Sequence, residues 1–172
     1  DGTQIAFLSN RDGDFEIYLL KVESALKGAL DAGLAKLTEN GADEFYAVWS
    51  PDGNQIAFQT ARDGNFEIYR MNADGSEQTN LTNNDARDVH PSWSPDGRYL
   101  YFCSTDPLPP ERYREVRYDL MRIKYDVDSD RWGDVEPVLL TKDTGLSISE
   151  PRVSPDGRWL LFCMSSYGEF PV

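Results

Sequence analysis

The chain has 172 residues, of which 40% are hydrophobic and 12% aromatic, a composition that supports a packed core and excludes a disordered chain. Its 30 acidic and 17 basic residues leave a net charge of −13, which excludes the basic footprint that nucleic-acid binding requires. No apolar run approaches the roughly 18 residues of a membrane helix, so we predict no membrane insertion.

One short phrase recurs along the chain. WSPDGNQIAF begins at Trp49, WSPDGRYLYF at Trp93 and VSPDGRWLLF at Val153, and the chain opens on DGTQIAF. Within this phrase the Asp-Gly pair begins at Asp1, Asp52, Asp96 and Asp156, with spacings of 51, 44 and 60 residues. We therefore predict a single repeat domain over 1–172, with units 1–51, 52–95, 96–155 and an incomplete 156–172.

The plain repeat predicts four strands in chain order. The first ends at 47–49, and the turn Ser-Pro-Asp-Gly follows, with proline and glycine at positions that suit a type I turn. Further strands are predicted at 54–60, 67–72 and 78–82, separated by Asp-Gly turns. The second strands are apolar nearly throughout, which is typical of sheets covered on both faces.

A period of about 40–45 residues with four strands indicates a β-propeller, so the predicted fold is all-β with four-stranded antiparallel blades. The chain holds about three and a half such blades, whereas propellers close with about four to eight. We therefore expect it to be a piece of a larger ring of about six to eight blades. Completion of the ring by copies or partner chains is the alternative. No signal peptide opens the chain, which says little because the chain begins within a repeat.

The segment Trp49–Thr82 resembles, almost residue by residue, the repeat of the TolB-type or PD40 propellers. Asp1–Tyr18, Trp93–Phe102 and Pro151–Gly168 match in part. The resemblance implies an extracytoplasmic bacterial protein, in the periplasm or at the cell surface. It also implies a non-enzymatic binding scaffold, without a cofactor, whose protein partner or envelope component docks over the face around the central channel.

In such propellers the channel face carries the loops that enter each innermost strand and those that join the second and third strands. By that mapping it holds 39–46, 83–90 and 141–150, the turns at 10–15 and 61–66, and the long loop after Thr105. The partner contacts predicted there are Glu44, Tyr46, Asp88, His90, Arg112, Tyr113 and Glu150.

Three members of that set carry the chemical argument. Arg112 and Tyr113 belong to the basic, aromatic segment 106–118, whose composition favours recognition of carboxylates or protein partners. The alternative is a loop at the rim of the propeller that is stiffened by its prolines. His90 is the only histidine and aligns with Tyr46 and Glu150 at the start of an innermost strand. One histidine cannot build a multi-histidine metal site. Two interpretations of His90 remain: a role in recognition at the channel, or a partly exposed strand residue without a function.

Other patterns predict structure only. The segment 23–38 predicts a short helix on the outer edge, with Leu26, Ala29, Leu30 and Leu34 on one face. Arg11 with Glu16, and Arg62 with Glu67, are expected to meet as exposed pairs across their turns.

The segment 126–136 has the Asp-x-Asp-x-Asp spacing of a calcium loop. Arg131 stands where the loop glycine belongs, and Pro137 where the bidentate glutamate belongs, so an ordinary turn is predicted and no metal site. Cys103 and Cys163 fall at one position of two repeats. Neighbouring sheets lie about 10 Å apart, beyond the roughly 7 Å that a disulfide spans, so both thiols are predicted free and buried.

No serine-hydrolase, zinc-protease or phosphate-binding motif is present, and we predict that the segment is not an enzyme. The alternative is a gating or substrate-selecting propeller of a larger hydrolase of the prolyl-oligopeptidase type. A G-x-S-x-G elbow downstream, followed by Asp and His, would decide for it. A propeller polysaccharide lyase is a third case, and it would need metal ligands that a single histidine does not favour.

Overall fold

A computed structural model describes residues 2–29, 31–105, 117–141 and 144–166. Within those ranges it contains strands, one short α-helix, α1 (Val22–Leu26), and a 3-10 turn at Asp31–Gly33. The strands are β1 (Gln4–Ser9), β2 (Glu16–Lys21), β3 (Leu34–Lys36), β4 (Glu44–Trp49), β5 (Gln55–Thr60), β6 (Glu67–Asn72), β7 (Thr79–Asn80), β8 (Asp88–Trp93), β9 (Tyr99–Thr105), β10 (Tyr118–Asp126), β11 (Arg131–Leu139), β12 (Leu146–Val153) and β13 (Leu160–Ser166).

These strands form four antiparallel sheets in chain order. Sheet 1 is β1-β2-β3, sheet 2 is β4-β5-β6-β7, sheet 3 is β8-β9-β10-β11, and sheet 4 is β12-β13. Every paired strand is the neighbour of its partner in sequence, which is the up-and-down order of propeller blades. The all-β propeller prediction is confirmed, and the chain is a partial propeller.

The Ser-Pro-Asp-Gly phrase builds the same turn three times. In sheet 2 the Ser50 hydroxyl donates to Asp52 Oδ1 (2.6 Å), and the Gly53 N–H donates to the Ser50 carbonyl (2.9 Å). Gly53 has φ +72°, a left-handed conformation that glycine adopts without the cost of a Cβ. Ser94–Gly97 and Ser154–Gly157 repeat these bonds, so the recurring letters encode a recurring hairpin.

Three hydrophobic clusters occupy the seams, by which we mean the contacts between successive sheets. Seam 1/2 contains Ile17, Phe58 and Met71, seam 2/3 contains Ile68, Phe102 and Ile123, and seam 3/4 contains Val89, Cys103, Leu120 and Ile148. Strand β5 is buried along its whole length. The prediction that the apolar second strands are covered on both faces is therefore confirmed for β5, whereas β13, which has no following sheet among the described residues, is largely exposed.

Details depart from the predicted elements where local sequence overrides the repeat. The fourth strand of sheet 2 is only β7, shorter than 78–82. The predicted helix face is wrong: α1 has five residues, Leu26 is 83% exposed, and Leu34 begins β3. An isolated five-residue helix lies below the length that sustains itself, and strand pairing with β2 takes over its C-terminal part.

The two cysteines also differ from each other. Both are free, as predicted, and Cys103 is buried, but Cys163 is exposed on β13, so the prediction that it is buried is wrong. The difference arises because Cys103 lies in seam 3/4, whereas sheet 4 has no following sheet among the described residues. The segment after Asp126 forms the β10–β11 turn, as predicted, with the Asp128 N–H and the Ser129 hydroxyl donating to the Asp126 carboxylate.

Candidate functional site

The loops predicted to share the channel face do meet. The Glu44 N–H donates to the Phe15 carbonyl (2.7 Å), and the Asp88 N–H donates to the Phe66 carbonyl (2.7 Å). The contacts come from the β1–β2 turn of sheet 1 and the equivalent β5–β6 turn of sheet 2, and each reaches the first residue of the next sheet. The ring centroids of Phe15 and Phe45 lie 5.8 Å apart across the same junction.

A β-bulge interrupts each innermost strand at one repeated position. The pairing of β4 with β5 shifts between Phe45 and Val48, that of β8 with β9 between Val89 and Ser92, and that of β12 with β13 between Ser149 and Arg152. The bulge residues have left-handed φ angles of +53° for Tyr46, +59° for His90 and +53° for Glu150. Non-glycine residues rarely adopt this conformation, and such residues often mark sites where a side chain is re-aimed.

The three bulge residues form a continuous row across three sheets. The Tyr46 and His90 rings meet edge to face, with centroids 4.4 Å apart, and the Glu150 N–H donates to His90 Nδ1 (3.3 Å). Because Nδ1 accepts, the neutral imidazole carries its proton on Nε2. Burial lowers the pKa of His90, while the Glu150 carboxylate acts in the opposite direction, so the ring is mainly neutral at pH 7.

Side chains of the second strands hold the bulges in place. The His90 N–H donates to Gln59 Oε1 of β5 at 2.8 Å. One sheet further on, the Cys103 sulfur lies beside the Glu150 N–H, which partly offsets the burial that raises the pKa of Cys103 to about 12. A thiol with that pKa is an inert, packed group at neutral pH.

Glu44 and Asp88 stand two residues before Tyr46 and His90 on the same strands and are fully buried. Glu44 Oε1 accepts from Asn40 Nδ2 (2.8 Å), Thr60 Oγ1 (3.0 Å) and Arg62 Nη2 (3.0 Å). Asp88 accepts from Asn84 Nδ2 (2.9 Å). Both side chains therefore bond within the protein, whereas Tyr46, His90 and Glu150 keep exposed surface. Arg112 and Tyr113 lie outside the described residues.

Buried carboxyl groups pair across the seams, a feature that sequence reasoning missed. In seam 1/2, burial raises the pKa of Glu16, and the neighbouring Glu44 carboxyl group raises it further. In seam 2/3, burial raises the pKa of both Glu67 and Asp88. The signal was present in the repeated letters Arg-Asp-Gly-x-Phe-Glu, whose glutamates are Glu16 and Glu67.

The predicted exposed pair of Arg62 with Glu67 is wrong. Arg62 lies 4.7 Å from the Tyr69 ring centroid and pairs with Glu44 of the innermost strand. The Tyr69 hydroxyl donates to Asp63, and burial together with this bond raises the pKa of Tyr69 to about 12. Arg11 likewise lies over Tyr18, at 4.8 Å, instead of pairing with Glu16.

Within the described ranges, no group of three or more His, Cys, Asp and Glu side chains is placed to hold a metal ion. No helix in those ranges has the length and apolar character of a membrane span.

Comparison with known proteins matches the whole chain to one family. The profile of the TolB beta propeller domain, PD40, covers residues 1–172. An uncharacterized protein of Agrobacterium fabrum is 34% identical over 159 residues, which is 91% of this chain and 50% of that protein. A solved structure assigned as TolB from Agrobacterium tumefaciens has a TM-score of 0.70 and 25% identity over 98% of this chain and 56% of its own.

Enzymes share the fold as well. The structure of a puromycin hydrolase has a TM-score of 0.63 and 16% identity over 94% of this chain and 27% of its own. At that identity the likeness concerns the fold alone. The chain spans about half the length of the Agrobacterium fabrum relative and of the Agrobacterium tumefaciens TolB structure.

Proposed function

The chain belongs to the TolB beta propeller family, and from that premise we propose that it is a non-enzymatic binding scaffold that recognises a protein partner or envelope component through its channel face. The single observation that carries this proposal is the row of Tyr46, His90 and Glu150. Three sheets each contribute one bulge residue at the same position of the innermost strand, and all three side chains are at least partly exposed. Rigid scaffolds with re-aimed side chains at one face are typical of binding sites.

The chemistry of the row suits a polypeptide. Tyr46 offers a ring and a hydroxyl, neutral His90 offers an Nε2–H donor, and Glu150 offers a carboxylate. Aromatic side chains at the centre of an interface contribute much of its affinity, and mixed donors and acceptors fix the register of the partner backbone. Glu44 and Asp88 are fully buried and bond to neighbouring side chains, so we propose the contact for the exposed members of the predicted set, Tyr46, His90 and Glu150. Arg112 and Tyr113 are proposed to extend the contact at the rim.

Site-specific photo-crosslinking in cells of the source organism tests this function. Benzoylphenylalanine in place of Tyr46 is expected to give a covalent adduct with one protein, identified by mass spectrometry. Leu26 is the matched control, because it is 83% exposed and lies after β2, on the opposite face. Equal adducts from both positions, or none from Tyr46, would contradict the proposal.

We also propose an extracytoplasmic location, on the strength of the family assignment. Fractionation of source cells is expected to recover the protein with periplasmic or cell-surface markers. Recovery with cytoplasmic markers alone would contradict that proposal.

A gating propeller in a larger hydrolase is the second candidate, favoured by the fold shared with a puromycin hydrolase. A fluorophosphonate probe labels activated serines, and we expect it to leave the full-length protein unlabelled. Labelling that is abolished by changing a single serine would favour the hydrolase.

A further inference from the structure

A recess of about 300 Å³ opens in seam 2/3, on the face of the Ser-Pro-Asp-Gly turns. Two of these turns form its walls: Pro51 and Asp52 from sheet 2, and Asp96 from sheet 3. They approach closely, since a Cβ added to Gly97 would lie 3.9 Å from Pro51 Cδ. This recess lies opposite the row of Tyr46, His90 and Glu150, so it is a separate place in the fold.

The mouth of the recess carries two carboxylates. Burial opposes ionisation of Asp52, but hydrogen bonds from Ser50 and Asn54 outweigh it and hold the pKa below its usual value. The Ser94 hydroxyl and the Arg98 N–H lower the pKa of Asp96 in the same way. Both groups are therefore charged at neutral pH and attract a cation.

Aromatic and amide groups form the floor. Trp93 and Tyr125 are 8% and 9% exposed, with ring centroids 6.3 Å apart. Gln55, 8% exposed, donates from Nε2 to the Tyr125 hydroxyl (2.9 Å), which donates to Asp130 Oδ1 (2.7 Å). Sheet 2 has no tyrosine at the position equivalent to Tyr125. The Tyr125 N–H donates to the carbonyl of Arg98, the residue before β9, and the Ala73 N–H donates to the carbonyl of Asn54, the residue before β5. Ala73 is therefore the equivalent residue of sheet 2.

Two buried polar atoms of the floor have no hydrogen-bond partner within the described part of the chain. They are Gln55 Oε1, an acceptor, and Trp93 Nε1, a donor. A buried polar atom left unpaired loses its hydration without a replacement bond, so natural proteins rarely keep one without a reason. The nearby cation Arg70 is engaged elsewhere, 3.8 Å from Glu77.

We propose that this recess binds the side chain of an arginine presented by a partner polypeptide. The guanidinium lies between Asp52 and Asp96, and its stem packs on Pro51 and Trp93. A guanidinium stacks on aromatic faces and carries five donors, so a small shift of the floor lets one reach Gln55 Oε1. Trp93 Nε1 is then left to donate to a carbonyl of the bound chain.

Titration with N-acetyl-arginine amide, followed by the indole N–H signals of the tryptophans in a ¹⁵N correlation spectrum, tests the site. The Trp93 signal is assigned by its loss in Trp93→Phe. It is expected to shift with the arginine derivative, and the citrulline derivative, which is isosteric and neutral, is expected to bind at least about fivefold more weakly. Equal binding of the two probes, or no shift with either, would overturn the proposal.

Matched variants separate the site from the turn that builds it. Asp96→Asn is expected to weaken binding of the arginine derivative about two- to fivefold. Asp156→Asn disturbs an identical turn, with the same Ser154 and Arg158 bonds, but lies outside the recess, and it should leave binding unchanged. A higher salt concentration should also weaken binding of the arginine derivative to the unaltered protein. Equal effects of the two variants, or binding insensitive to salt, would each overturn the proposal.

Discussion

Seams 2/3 and 3/4 pack the same kind of sheets with different chemistry. Burial raises the pKa of Asp88 in seam 2/3, and the Asp88 charge adds to the burial that raises the pKa of Glu67 in the preceding sheet. Ile148 occupies the position of Asp88 in seam 3/4 and is completely buried, while Asp119, the counterpart of Glu67, turns to Thr141. Stacking of the sheets therefore does not require buried carboxyl groups. Where such groups occur, they make the stability of the fold depend on pH, and each needs hydrogen-bond donors inside the protein.

The largest expected effect comes from breaking the most heavily bonded carboxylate. Glu44→Ala removes the acceptor of Asn40, Thr60 and Arg62, and it leaves a half-buried guanidinium without its partner. We expect the free energy of unfolding to fall by about 3 kcal/mol, measured by urea denaturation.

Ile148→Val at the matching position of seam 3/4 is the control for that change. It deletes one methylene and should cost only about 1 kcal/mol. If Glu44→Ala proved as mild as Ile148→Val, the polar network of seam 1/2 would be incidental to stability.

The next effect concerns the side chain that holds a bulge. Gln59→Leu removes the acceptor of the His90 N–H, and Leu8 shows that leucine is accommodated at the same position of sheet 1. A lost buried hydrogen bond should cost about 1–2 kcal/mol. Hydrogen exchange of the His90 amide is expected to quicken in the variant more than exchange of the Val89 amide. Unchanged protection at His90 would show that Gln59 does not hold the bulge.

The smallest effect is a change in pH dependence, with opposite signs in two variants. The raised pKa of Asp88 gives stability that is full below its unfolded pKa, about 4, and is lost as pH rises through its folded value. The stability of Asp88→Asn relative to the unaltered protein should therefore increase as pH rises from about 4.

The pKa of Asp52 is lowered, so its stabilisation is present above the unfolded pKa and lost on acidification. The stability of Asp52→Asn relative to the unaltered protein should therefore decrease as pH rises. Thermal denaturation over a pH series measures both differences, and slopes of the same sign in the two variants would refute this account.

The repeat made most of the fold predictable. The Ser-Pro-Asp-Gly turns specify hairpins directly, and the repeat spacing aligns Tyr46, His90 and Glu150, so both could be predicted from the sequence. The apolar second strands predicted burial on both faces, which holds for β5 but not for β13. The partners of polar side chains did not. Arg62 crosses to Glu44 because neighbouring sheets bring them together, and local spacing pointed to Glu67. Contacts between residues far apart in the chain decide which acids are buried, and no local pattern reports that.

Affinity of the partner recovered by crosslinking at Tyr46 is the most direct test of the binding scaffold. Isothermal titration would compare the unaltered protein with Tyr46→Ala and with Leu26→Ala, which alters an exposed residue on the opposite face. We expect Tyr46→Ala to weaken binding about tenfold or more and Leu26→Ala to leave it unchanged. Equal affinity of the unaltered protein and Tyr46→Ala would contradict the claim that the row of bulge residues is the recognition surface.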